Sequence, residues 1–174
     1  MLIVATGALT LMFGGGETSD FWVDALTLWW KQAKSEWGSK RQLLIYLDNG
    51  PNNSGSRTQF LKRLIAFVDW SGLEVRLVSY PPYHSKYHPI ERCWSALEQK
   101  GGGALLNGLK VILQYALRMR WQGQAPTVRR LAGAYPDGMR LTRSAMKPYE
   151  KRLKRSPTLP KYDILIQPLQ PRGR

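Results

Sequence analysis

LLIYLDNGPNNSG, residues 43–55, runs five large apolar residues into a carboxylate and then into a cluster of turn-forming residues. A short continuous apolar run bounded by Asn, Gly and Pro predicts a strand buried on both faces. Asp48 then stands at the carboxyl end of that strand, where open α/β sheets gather their functional groups. Asp48-Asn49-Gly50-Pro51 is also good turn chemistry in its own right. The segment alone leaves two readings standing: a turn aspartate, or a carboxylate aimed at a partly dry site as a metal ligand.

Upstream, residues 2–13 are rich in Leu, Ile, Val and Thr around Gly7, which predicts a hairpin or two short strands. DFWVDALTLWWKQAKSEW follows, with Phe21, Ala25, Leu28 and Trp29 at helical spacing. Ser19 is placed to cap that helix, Asp20 and Asp24 suit its first turn, and Gly38 ends it. Downstream, SRTQFLKRLIAFVDWSG sets Phe60, Leu64, Phe67 and Val68 at helical spacing before Gly72. LEVRLVSY alternates as a strand and stops at Pro81 and Pro82, and PIERCWSALEQK opens a helix on a proline. Strands alternating with helices predict an α/β layer with helices packed on a central sheet. The expected organisation is a core over 1–103, a basic helical region over 104–155, and a Pro-rich extended tail over 156–174.

Composition narrows the function classes. The 174 residues carry 26 Lys and Arg against 12 acids, a net charge of +14. Folding does not require that excess, and it points to a polyanionic partner, most simply nucleic acid. From Lys110 to Arg155 there are twelve Lys and Arg against two acids. The single cysteine, Cys93, allows no disulfide framework within the chain and fits a reducing cytoplasm. One cysteine and two histidines do not make a closed zinc site. No apolar run reaches membrane length, and the apolar start lacks the basic region of a signal peptide.

Glu91 is the second carboxylate of interest. It falls in the first turn of its helix, where the helix dipole favours a negative charge whatever its role. If Asp48 and Glu91 converge, they suit a hard divalent cation, which takes one or two carboxylates together with waters and substrate phosphates. Between them lies YPPYHSKYHPIERCW, in which Tyr80, Tyr83, Tyr87, His84, Lys86 and His88 interleave aromatic and basic groups. Such a loop can stack bases and touch phosphates, or it can be a packed surface loop. The candidate DNA contacts are His84, Lys86, Arg92, Arg129, Arg130, Arg143, Lys147, Lys151 and Arg152. KPYEKRLKR, residues 147–155, predicts a helical run whose charges either hold DNA or are simply solvated.

A strand ending in LDNGP, then a helix, then a strand ending in YPPYHSKYHPIERCW resembles the catalytic core of DDE insertion-sequence transposases, of the Rhodopirellula-type family. TSDFWVDALTLWW, SRTQFLKRL, the WQG segment and LTRSAMKPYEKRL extend the likeness over nearly the whole chain. The resemblance implies a ribonuclease H-like mixed sheet flanked by helices, and Mg²⁺- or Mn²⁺-dependent DNA strand cleavage and transfer. By motif position Asp48 corresponds to the second acid of the catalytic triad and Glu91 to the third, both as metal ligands. His88 stands where the motif carries Asn, and GGG at 101–103 replaces Trp-Asn-Gly. The family's first aspartate lies on the first strand of its fold, and no residue here matches it, since Asp20 and Asp24 fall in a helix. The family's N-terminal helix-turn-helix region has no counterpart either. The expectation is therefore the C-terminal part of a transposase lacking the first strand. Its partners would be element-end and target DNA, with a second copy of the chain or a complementing N-terminal polypeptide as further candidates. A catalytically inactive DNA-binding remnant and a nuclease of the same fold are the alternatives.

Overall fold

A computed structural model of the chain describes residues 1–81, 84, 87–101 and 108–169. The chain divides into two compact units, one of residues 1–15 and 84–133, the other of residues 16–83 and 134–174. Each unit is therefore assembled from segments distant in sequence.

The second unit is built on a four-stranded mixed sheet. β2 (Gln42–Leu47), α2 (Thr58–Ser71) and β3 (Glu74–Ser79) form a parallel strand–helix–strand unit, with Gln42 opposite Glu74 and Leu47 opposite Ser79. The spatial order is β2-β3-β6-β5, with β6 (Asp163–Ile166) antiparallel to both β3 and β5 (Leu153–Arg155). Val75 and Leu77 of β3 share a face with Ile164 and Ile166 of β6, and all four are buried. That face joins Phe60, Leu61, Leu64, Phe67 and Val68 of α2 in one core, with Val23 and Trp30 of α1 (Ser19–Trp37) and Met146 of α5 (Arg143–Glu150). Period-2 burial on the strands and period-3.6 burial on α2 thus meet on one surface. Gly72 closes α2 in the left-handed region (φ 72°), its N–H donating to the Val68 carbonyl.

The opposite sheet face mixes polar pairs with apolar side chains. Arg76 holds Asp163 through two hydrogen bonds of 2.9 and 2.7 Å, and Glu74 accepts from Gln42 and Gln167. β2 therefore departs from the expectation of burial on both faces. It lies at the sheet edge, Leu43 and Ile45 pack on the core, and Leu44 and Tyr46 are exposed. A continuous apolar run does not distinguish a central strand from an edge strand with one covered face.

Two local readings shift slightly. Thr18, not Ser19, caps α1, accepting from the Phe21 N–H at 3.3 Å. The core stripe of α1 is Trp22, Val23, Leu26, Trp29, Trp30, Ala33 and Trp37, one step round from the predicted one. Phe21 packs edge-on against Tyr135 instead.

The first unit holds β1 (Thr10–Phe13), α3 (Pro89–Gly101), α4 (Leu109–Arg118) and β4 (Thr127–Arg130). β1 and β4 pair in parallel, Thr10 opposite Thr127. The expected hairpin near the start is an antiparallel bridge from Leu2 to Leu9 about a left-handed Gly7, leading into β1. Leu9, Leu11, Cys93, Leu97, Ala116 and Met119 form this unit's own core. The segment 104–155 is thus helical only in part, since β4 and β5 lie in it. The 147–155 run leaves the helix after Glu150, and Leu153 enters the sheet opposite Ile166. In the segment expected to be an extended tail, described residues 157–162 are largely bends and turns, and residues 163–166 form β6, an inner strand of the sheet.

Candidate functional site

The parallel ladder of β2 ends where the Tyr80 N–H donates to the Leu47 carbonyl at 2.8 Å. Asp48 follows directly, so its exposed carboxylate leaves the sheet at a strand's carboxyl end. Asp48 Oδ1 accepts from the Gly50 N–H at 3.2 Å and from the Asn53 side-chain amide at 3.0 Å. Asn49 adopts φ 61°, a left-handed conformation that Asn tolerates better than most residues. The Asn53 N–H returns to the Gly50 carbonyl at 3.3 Å. The turn is pinned on both sides. Asn52 donates to the Glu17 carbonyl and accepts the Ser19 hydroxyl at 2.8 Å, while Arg155 Nη1 donates to the carbonyls of Gly55 and Pro160 at 2.8 and 2.9 Å. Turn and ligand readings of Asp48 therefore do not exclude each other. One carboxylate oxygen is used by the turn, and Oδ2 has no hydrogen-bond partner among the described residues.

Glu91 lies in the first turn of α3, half-buried, its N–H donating to the His88 carbonyl at 3.0 Å. Cys93 and Leu97 turn the inner face of α3 to the core, leaving Arg92, Trp94 and Glu98 exposed. Cys93 is buried in this unit's core, and that burial pushes its thiol pKa up. Asp48 and Glu91 belong to different units. Among the described residues no group of three or more His, Cys, Asp and Glu side chains could hold a metal ion. Asp20 and Asp24 are occupied otherwise. Arg63 bridges both, and Gln59 donates to Asp20 at 2.9 Å, which fastens α1 to α2.

Of the basic candidates, His84, Arg92, Arg129 and Arg130 are exposed in the first unit. The His84 and Tyr87 rings lie 6.1 Å apart. Lys86 lies outside the described residues. Arg143, Lys147 and Lys151 are exposed in the second unit at intervals of four, one helical face. Arg152 differs, since its guanidinium donates to both Asp69 oxygens at 3.1 and 2.7 Å and to the Gln167 carbonyl at 2.8 Å.

The family described as the Rhodopirellula transposase DDE domain matches residues 3–168. The chain belongs to that family. No curated protein and no solved structure matches it. As a transposase DDE domain it has DNA as its partner class, and its family uses divalent metal ions. No helix among the described residues is long and apolar enough to cross a membrane. The residues of this DDE domain suit a hard cation at Asp48. The turn offers carboxylate oxygens, and beside them Asn53 presents a buried side-chain carbonyl with no partner among the described residues. Asn53 and Gly50 escape the sequence reading, because in GPNNSG they are indistinguishable from ordinary turn residues.

Proposed function

We propose that this DDE domain breaks and joins DNA strands in insertion-sequence transposition, with Asp48 and Glu91 as ligands of Mg²⁺ or Mn²⁺. The observation that carries the reading is the family match together with Asp48 directly after the carboxyl end of β2; the likeness of LDNGP to the family's motif supports taking it as the second acid. Asp48 and Glu91 would hold the cation, which would supply Lewis-acid activation of an attacking oxygen and charge stabilisation of a leaving one in phosphodiester chemistry. The chain's own residues bind and orient. The Gly50 and Asn53 hydrogen bonds fix the Asp48 carboxylate. Arg129 and Arg130 on β4, with Arg143, Lys147 and Lys151 on α5, offer exposed cations for phosphates. Arg152 is a structural ion-pair partner in this reading, and the ribonuclease H-like arrangement remains part of the proposal.

The family's site uses three acids, and two positions of this sequence match them. The 174-residue chain alone is therefore expected to bind Mg²⁺ weakly and to give little strand transfer. The test is duplex DNA titrated with the chain over a range of salt, with and without Mg²⁺, followed by product analysis. Binding that weakens steeply with salt, and joined ends among any products, support a transposase. Ends that are only cut favour a nuclease of the same fold. DNA binding with no effect of Mg²⁺ or of Asp48→Asn favours a non-catalytic remnant, and robust strand transfer by the chain alone refutes the two-acid account.

A further inference from the structure

Asn53 is buried to 2% exposure, yet its side-chain carbonyl has no hydrogen-bond partner among the described residues. The orientation of the amide follows from its neighbour. An ionised carboxylate only accepts, so the NH₂ end must face Asp48 Oδ1, 3.0 Å away, and the carbonyl end is the one left over. Buried acceptors are normally satisfied, and an exception calls for a reason such as an ion or a bound water.

Gly50 shows where that oxygen points. A β-carbon on Gly50 would lie 3.4 Å from Asn53 Oδ1, 3.4 Å from Asp48 Oδ1 and 3.5 Å from Asp48 Oδ2. Three acceptor oxygens thus lie within 3.5 Å of one point, the place a side chain on residue 50 would take. None of the three is a donor as oriented, and the two donors beside them, the Gly50 N–H and the Asn53 NH₂, are already turned to Asp48 Oδ1, so acceptors predominate at this point. Such a niche suits a positive charge, or a water polarised by one, and repels an anion.

We propose that Asn53 is a positioning residue for the divalent cation held by Asp48. Its amide NH₂ fixes the carboxylate, and its carbonyl accepts a hydrogen bond from a cation-bound water in the niche over Gly50. Mg²⁺ keeps several of its waters, and partners outside the direct ligands orient them. The inference rests on the proposed role of Asp48 as a metal ligand.

The test uses the full chain with Mn²⁺ as the probe, following the free-ion signal by electron paramagnetic resonance, with thermal unfolding as a second readout. Asp48→Asn comes first. If it leaves Mn²⁺ binding unchanged, the ligand reading itself fails, and this inference with it. If it abolishes binding, the remaining variants judge Asn53 alone. Gly50→Ala removes no oxygen and makes only ordinary contacts, but it fills the niche. It is expected to weaken Mn²⁺ about tenfold with little change in metal-free unfolding temperature, as is usual for supporting groups around a metal. Asn53→Asp places a second carboxylate beside Asp48. It is expected to lower the metal-free unfolding temperature and to gain more from added Mn²⁺ than the parent chain does. Unchanged Mn²⁺ affinity in Gly50→Ala, or no extra stabilisation of Asn53→Asp by Mn²⁺, overturns the proposal and leaves Asn53 a turn residue only.

Discussion

Gly55 is the tightest single position near the site. A β-carbon there would sit 2.1 Å from the Lys161 carbonyl oxygen and 2.9 Å from Ile164 Cδ1. The turn after Asp48 and the approach to β6 touch at this one residue, and backbone, unlike a flexible side-chain end, does not step aside. Gly55→Ala is expected to lose about 1–3 kcal/mol, the range for overpacking, in denaturant unfolding. A variant as stable as the parent would show that the backbone here yields to a methyl group. Asp69 makes a second prediction at this scale. The hydrogen bonds from Arg152, assisted by the Leu169 N–H, hold its carboxyl below the usual carboxylate range. Its native pKa is depressed, so its contribution is fully present above the unfolded value of about 3.9 and is lost as pH falls through the native value. Asp69→Asn should therefore cost about 1 kcal/mol at pH 7 and nearly nothing in strong acid, measured by denaturant unfolding at both pH values. An equal cost at both would mean the pair acts by shape and not by charge. None of this is legible in the sequence, where Asp69 and Arg152 are two charged residues 83 positions apart.

At the scale of elements, α5 stops at Glu150 although the basic pattern continues, and Pro148 within it removes the N–H that would bond the Ser144 carbonyl. Lys151 still caps the helix, which leaves Arg143, Lys147 and Lys151 on one exposed face and turns Arg152 into the Asp69 pair. The two groups should separate cleanly. Replacing Arg143, Lys147 and Lys151 by Ala should reduce the slope of log K against log salt for duplex DNA by about 3, one for each phosphate no longer neutralised. Arg152→Ala should lower stability and leave that slope nearly unchanged. A slope that ignores the triple variant would assign those cations to solvent. β2 shows the complementary limit of sequence reading. QLLIYL is recognisable as a strand from composition alone, whereas its place at the sheet edge depends on which strand lies beside it. β6 is hidden for a related reason, since DILI is four residues long and flanked by Pro160 and Pro168.

Over the whole molecule, the order of helices and strands through α3 follows from periodicity, because each element buries a face set by its own sequence. The grouping into two units does not, because β1 pairs with β4 across more than a hundred residues and β6 returns to sit beside β3. Periodicity carries no information about which distant segments meet. The site divides the same way. Asp48 is recognisable from a strand running into a carboxylate, and Glu91 from the motif around it, whereas Asn53 acquires meaning only when its buried carbonyl is seen beside Asp48. The central proposal is that Asp48 and Glu91 serve one divalent cation on DNA. Its most direct test is Mg²⁺ affinity of the DNA-bound chain, measured for the parent, Asp48→Ala, Glu91→Ala and the double variant. A shared ion predicts that either single change weakens binding and that the double variant loses little more than the worse single one, the non-additive result of removing two parts of one site. Affinity unchanged in either single variant, or two losses that simply add, would contradict it.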